Sequence, residues 1–131
     1  MAITFKQSNT YYCTFNLVDR FGDPIVYSSL STVQLSVYYL NTRLSTSDRF
    51  HGQYINSRES QNIKNTNNVT ISTNGTLSWY IQPADTAMLD EDAKRELHVA
   101  RFEWYYGLPD GSRGRNSLET FFFIEANAGN I

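Results

Sequence analysis

The chain has one cysteine, Cys13, among 131 residues. An internal disulfide and any cysteine-based zinc site are therefore excluded. Nor is there a basic excess, since Lys and Arg total 11 against 13 Asp and Glu, for a formal net charge of −2. Nucleic-acid binding needs a positive patch to neutralise phosphates, and this sequence has no such footprint. No apolar run approaches the ~20 residues of a membrane-spanning helix. Residues 1–6 lack the basic start and long apolar stretch of a signal peptide, which places synthesis in the cytosol. Without secretion, the sequons at Asn68 and Asn74 read as turn residues rather than glycan sites.

Catalytic signatures are missing too. A hydrolytic triad needs a base between a nucleophile and an orienting acid, and His51 and His98 are the two histidines available. His51 sits in a polar stretch and reads as solvated. His98 alternates with Ala100 and Phe102 and reads as packed, or as facing a partner. Asp85, Asp90, Glu91 and Asp92 cluster in one connection, but their spacing is not that of an EF-hand loop, and they read as a solvated charged turn rather than a calcium site. Glu96 and Glu103 are an odd number of positions apart on one strand, so they cannot face each other across a glycosidase cleft. No glycine-rich phosphate loop follows a strand. The sequence predicts no catalytic residue, no metal ligand and no cofactor.

What the chain does have is aromatic content, 15% of residues with 9 Tyr and 8 Phe, against 18% charged. Aromatics suit pleated, half-buried surfaces. Period-2 alternation marks strands at 11–19 (Tyr11, Cys13, Phe15, Leu17 on one face), 32–40 (Val33, Leu35, Val37, Tyr39), 69–72, 76–81 (Leu77, Trp79, Ile81) and 96–106. Cys13 in this pattern reads as a small buried hydrophobe. Residues 3–5 are a short candidate strand, 25–27 an extended one, and 118–125 a closing hairpin strand after a polar turn at 107–116. A weak strand falls near Tyr54 or near Gln61. Asn74-Gly75 fits a tight turn. The one helical candidate is a single turn near 84–89, with Pro83 at its start. Residues 41–52 form a polar loop long enough to serve as an interface. Residues 126–131 are expected to be a flexible tail. Together these predict one all-β domain over 1–131, an antiparallel sandwich of about seven to eight strands.

Strand 96–106 carries apolar groups on both faces. Ala100, Phe102, Trp104 and Tyr106 share one face, assigned to the core. Val99, Arg101, Glu103 and Tyr105 share the other, assigned to a partner. Adjacent tyrosines in a strand point oppositely, so Tyr38-Tyr39 also offers one ring outward, and tyrosine favours interfaces. The candidate partner interface is Tyr38, Arg101, Glu103 and Tyr105, with Arg43 and Arg49 from the polar loop. Exposed Tyr or Trp could alternatively stack on sugar rings, with Trp104 the residue to test.

The stretches 74–79, 83–88, 96–104 and 121–124, with 16–26 upstream, together resemble the small immunoglobulin-like sandwich proteins of tailed-phage particles. The layout is also similar to the N-terminal modules of phage baseplate upper proteins. That resemblance implies an immunoglobulin-like fold and a non-enzymatic virion role as a capsid cement, decoration or head–tail neck protein. A baseplate or tail adaptor is the alternative within the resemblance, and a carbohydrate-binding host-recognition module is the alternative that the aromatic residues and the 41–52 loop offer. The resemblance implies partners among other virion subunits, many copies per particle or a homo-oligomer, and location in the virion, while the charge balance and the lack of a long apolar run predict no nucleic acid and no membrane as partners.

Overall fold

A computed structural model describes residues 3–40, 50–90 and 93–126. Eight strands and two 3-10 turns follow in the order β1 (Ile3–Lys6), β2 (Tyr11–Asn16), a turn at Tyr27–Ser29, β3 (Leu30–Leu40), β4 (Gln61–Asn62), β5 (Val69–Ile71), β6 (Thr76–Ile81), a turn at Pro83–Thr86, β7 (Arg95–Gly107) and β8 (Arg113–Glu125). They form a five-stranded sheet, β1-β8-β7-β3-β4, packed on a three-stranded sheet, β2-β6-β5. The fold is an all-β sandwich. Its central order, β8-β7-β3-β4 over β2-β6-β5, is that of the GFC and BED sheets of immunoglobulin sandwiches, with one strand added beside C.

The sandwich is not wholly antiparallel. β1 lies parallel to β8, with Phe5 opposite Ile124 and Lys6 opposite Glu125. Three further expectations change. Of residues 25–27, Val26 is extended as expected and the Ile25 amide bonds the Leu17 carbonyl at 3.0 Å, but Tyr27 begins a 3-10 turn anchored by its amide to the Thr73 carbonyl at 3.0 Å. The polar turn after β7 shrinks to residues 108–112, closed by the Leu108 amide on the Ser112 carbonyl at 2.8 Å. β8 therefore starts at Arg113 and pairs with β7 without a break from Gly107 back to Arg95. The helical turn ends at Thr86, short of residue 89. Residues 41–49, most of the polar loop, and 127–131, most of the expected tail, lie outside the described residues.

The core forms where alternation places apolar groups of both sheets face to face. Leu77, Trp79 and Ile81 of β6 are buried against Val33, Leu35 and Val37 of β3, Phe102 and Trp104 of β7, and Phe122 and Ile124 of β8. Phe102 is the hub, with the Phe15 ring at 4.9 Å and the Trp79 ring at 5.7 Å, both edge-on. Cys13 is half-buried at its margin rather than enclosed, and burial raises its thiol pKa. The turn between β5 and β6 depends on Gly75. Its φ is +82°, and a Cβ there would land on the Ile25 carbonyl oxygen.

Candidate interaction surface

Buried titratable groups, whose perturbed environments mark candidate functional sites, form two clusters. Arg58 and Asp85 are 1% and 0% exposed. Asp85 Oδ1 accepts from Arg58 Nε at 2.5 Å and from Asn56 Nδ2 at 2.9 Å, and Oδ2 accepts from Arg58 Nη2 at 3.1 Å and from the Gln82 amide at 2.8 Å. Arg58 Nη1 donates onward to Gln61 Oε1 and the Asn67 carbonyl, while the guanidinium lies 5.8 Å from the Trp79 ring centre. Every strong group is satisfied, and the arrangement ties the segment after β3 to the turn after β6. It is a structural clamp. Asp85 is thus no member of a solvated acidic turn, as its sequence neighbourhood suggested. Glu91 and Asp92 lie outside the described residues.

The second cluster is Glu96 and His98, which share the inward parity of β7 with Phe102. His98 Nε2 is 2.7 Å from Glu96 Oε1, and the carboxylate also accepts the Leu89 and Asp90 amides at 2.8 and 3.1 Å. A carboxylate orienting an imidazole is two-thirds of a triad. His98 is however fully buried with the Phe122 ring 5.7 Å away, and its Nδ1 has no hydrogen-bond partner. Among the described residues no hydroxyl or thiol is hydrogen-bonded to the His98 ring, and the carboxylate of the pair holds the link before β7 through the Leu89 and Asp90 amides. His98 is packed inside, which resolves the two readings of it. Among the described residues, no group of three or more His, Cys, Asp or Glu side chains could hold a metal ion.

The outward face of the five-stranded sheet is a different environment. The register aligns side chains in rows across β3, β7 and β8. One row is Leu40, Leu97 and Phe123, and the next is Tyr38, Val99 and Phe121. Tyr54 extends the second row through its bridge to Tyr38, their rings 6.3 Å apart and edge-on. Phe121 and Tyr54 are 42% and 41% exposed, while Val99 beneath them is buried by its neighbours. Partial burial, with Glu119 nearby, raises the Tyr38 phenol pKa. Charged groups bound the apolar rows. Arg101 and Glu119 pair in register on one side, and Arg95 and Glu125 on the other, with the Arg95 guanidinium 3.7 Å from the Phe123 ring centre.

Farther along, Glu103 bridges two arginines, its Oε1 3.0 Å from Arg101 Nε and its Oε2 2.6 Å from Arg115 Nη2. The Arg101 contact lacks hydrogen-bond alignment, which leaves that Nε without a hydrogen-bond partner. Arg115 also lies 5.7 Å from the centre of the Tyr105 ring. The structure thus places Tyr38, Arg101, Glu103 and Tyr105 on one continuous face. Arg43 and Arg49 lie outside the described residues. Phe121, Phe123, Tyr54 and Glu119 belong to this face and were missed. The signal for two of them was present, because once Phe122 turns inward its neighbours must turn out.

The opposite sheet offers a smaller feature. Tyr12 and Tyr80 are 57% and 45% exposed, with ring centres 5.1 Å apart. They line a shallow depression with Thr10, Tyr11, Ile81 and Gln82. Trp79 and Trp104 are both in the core, and Trp104 donates to the Val18 carbonyl at 2.9 Å. Neither tryptophan can stack on a ligand.

No family model matches the chain, and no characterised protein or solved structure matches it either.

Proposed function

We propose that this chain is a non-enzymatic structural protein that docks on other protein subunits through the outward face of its five-stranded sheet. The observation that carries the reading is the pair of apolar rows, Leu40-Leu97-Phe123 and Tyr38-Val99-Phe121, on the outward sheet face, with the Phe121 ring 42% exposed above a buried Val99 and charge at either end. Interfaces favour such surfaces, with aromatic anchors inside a polar rim. The setting we propose is a tailed-phage particle, as a capsid decoration or head–tail neck protein, with a baseplate adaptor as the variant of the same idea. That setting rests on the resemblance of the strand and turn pattern, which is an analogy of fold and not of site. Mass spectrometry of purified particles should find the chain at a stoichiometry matching a ring or lattice. A Phe121→Asp chain that folds should be left out of the particles. Absence of the wild-type chain, or equal incorporation of the variant, would overturn the reading.

A second reading, carbohydrate binding, is favoured by the exposed Tyr12 and Tyr80 rings on the other sheet. A glycan array separates the two. Binding that disappears in Tyr12→Ala and survives Phe121→Asp would support the sugar site.

A further inference from the structure

The outward face carries a charge pattern that is complementary to itself. Along β7 the outward positions run Arg95, Leu97, Val99, Arg101, and the β8 positions beside them run Glu125, Phe123, Phe121, Glu119. Both basic groups are on one strand and both acidic groups on the other, at either end of the same apolar block. A two-fold axis lying in the face, parallel to the strands and between β7 and β8, exchanges the two columns. It sets Arg101 opposite the partner's Glu119 and Arg95 opposite the partner's Glu125, with Leu97 on the partner's Phe123 and Val99 on the partner's Phe121. One step farther Glu103 meets the partner's Ser117, and two steps farther Arg115 meets the partner's Tyr105. The other in-plane axis, across the strands, stacks Arg95 on Arg101 and Glu125 on Glu119, which repels. A closed two-fold contact must be self-complementary in this way.

We infer that the occupant of this face is a second copy of the chain, packed sheet on sheet about an axis between β7 and β8. The inference rests on the docking reading above and names its partner. Glu119 gains specifically, since it makes no ion pair among the described residues. The Arg101 guanidinium, 38% exposed with its buried Nε held 3.0 Å from Glu103 Oε1, faces it across the axis. Strand spacing of about 4.8 Å and same-face spacing of about 6.8 Å make the patch on the order of 500 Å² per copy. About 1,000 Å² in total is the floor for a specific contact, so the dimer is weak and concentration-dependent. Aligned sheet packing tilts the strands by about 30°, which a two-fold axis accommodates by tilting each copy half as much.

Sedimentation velocity of the full chain over a concentration series should show a monomer–dimer equilibrium. Arg101→Glu or Glu119→Arg alone places like charges opposite each other twice per dimer, and each should weaken dimerisation by about tenfold or more. An equimolar mixture of the two variants should recover a heterodimer, since the acidic position 101 of one then faces the basic position 119 of the other. No change within a single chain can produce that recovery, and circular dichroism checks that each variant is folded. If one reversal does not fold, Phe121→Ser in its place should abolish the dimer. A dimer indifferent to these changes overturns the inference, as does mixing without recovery. A chain that stays monomeric also overturns it, while leaving the docking reading to the particle experiment, where a heterologous partner would still exclude Phe121→Asp.

Discussion

The two faces of β7 contain the same kinds of residue in opposite roles. Inward, Glu96, His98, Phe102 and Trp104 are all buried, and the polar ones have their main partners inside the chain. Outward, Arg95, Leu97, Arg101, Glu103 and Tyr105 remain partly open to water. A carboxylate inside must be satisfied by fixed donors, because burying it unpaired costs several kcal/mol. A carboxylate outside needs no fixed partner, because water solvates it. The outward face can therefore hold its apolar groups in rows and its charges at the rim without destabilising the monomer. The inner face specifies the fold, and the outer face is left available for contact.

The sharpest way to break that comparison is Asp85→Ala, in the clamp that closes the inner region. It leaves the Arg58 guanidinium buried without its counter-ion, at a cost of about 3–5 kcal/mol in urea unfolding. Replacing both partners with apolar residues, as in Arg58→Met with Asp85→Leu, should cost much less. If the double replacement is as damaging as the single one, the clamp acts through shape and not through charge.

Next in size is a pair of neighbours. Phe122 faces the core at 2% exposure and Phe121 faces out at 42%. Phe122→Ala should cost about 3 kcal/mol, from lost burial and the cavity left behind. Phe121→Ala should cost under about 1 kcal/mol, because its ring is half solvated already. Equal losses would mean that the outward face is part of the monomer's own core.

Much of this division was legible in the chain. Strict alternation in 96–106 assigned Phe102 and Trp104 inward and Arg101, Glu103 and Tyr105 outward, and Leu77, Trp79 and Ile81 opposed them as expected. Glu96 has the same parity as Phe102, so its burial was readable too, but its charge grouped it with the polar link. The Arg58–Asp85 pair was not readable. Its members are 27 residues apart, Arg58 in an irregular segment and Asp85 in a single 3-10 turn, too short for periodicity to say which way a side chain points. The first five residues of β8 escaped for another reason. Arg113, Gly114, Arg115, Asn116 and Ser117 give no apolar alternation, and the strand there is held by its backbone ladder to β7. The parallel pairing of β1 is a contact between opposite ends of the sequence, which local pattern cannot predict.

The smallest expected effect lies at the rim of the outer face, in the Lys6–Glu125 pair that fastens β1 to β8. The two side chains meet at 2.7 Å in the open. The hydrogen bond from Lys6 holds the Glu125 carboxyl below its ordinary value, helped by the charge of Lys6 and then of Arg95. A carboxyl lowered by folding binds its proton more readily in the unfolded chain. Its contribution is therefore complete above the ordinary value of 4.5 and is lost as pH falls through the lowered one. Water and salt screen an exposed pair, so the loss is shallow and smaller still at high ionic strength. Phe5 reports on it, because its ring stacks on Tyr11 at 4.1 Å only while β1 is docked. The Phe5 ring resonances should shift toward a detached position as pH falls from about 5 to about 2, and Glu125→Gln should flatten that titration. An unchanged titration in Glu125→Gln would mean that β1 is held by Phe5 packing and the backbone ladder alone, and that the rim charges of the outer face are free to serve a partner.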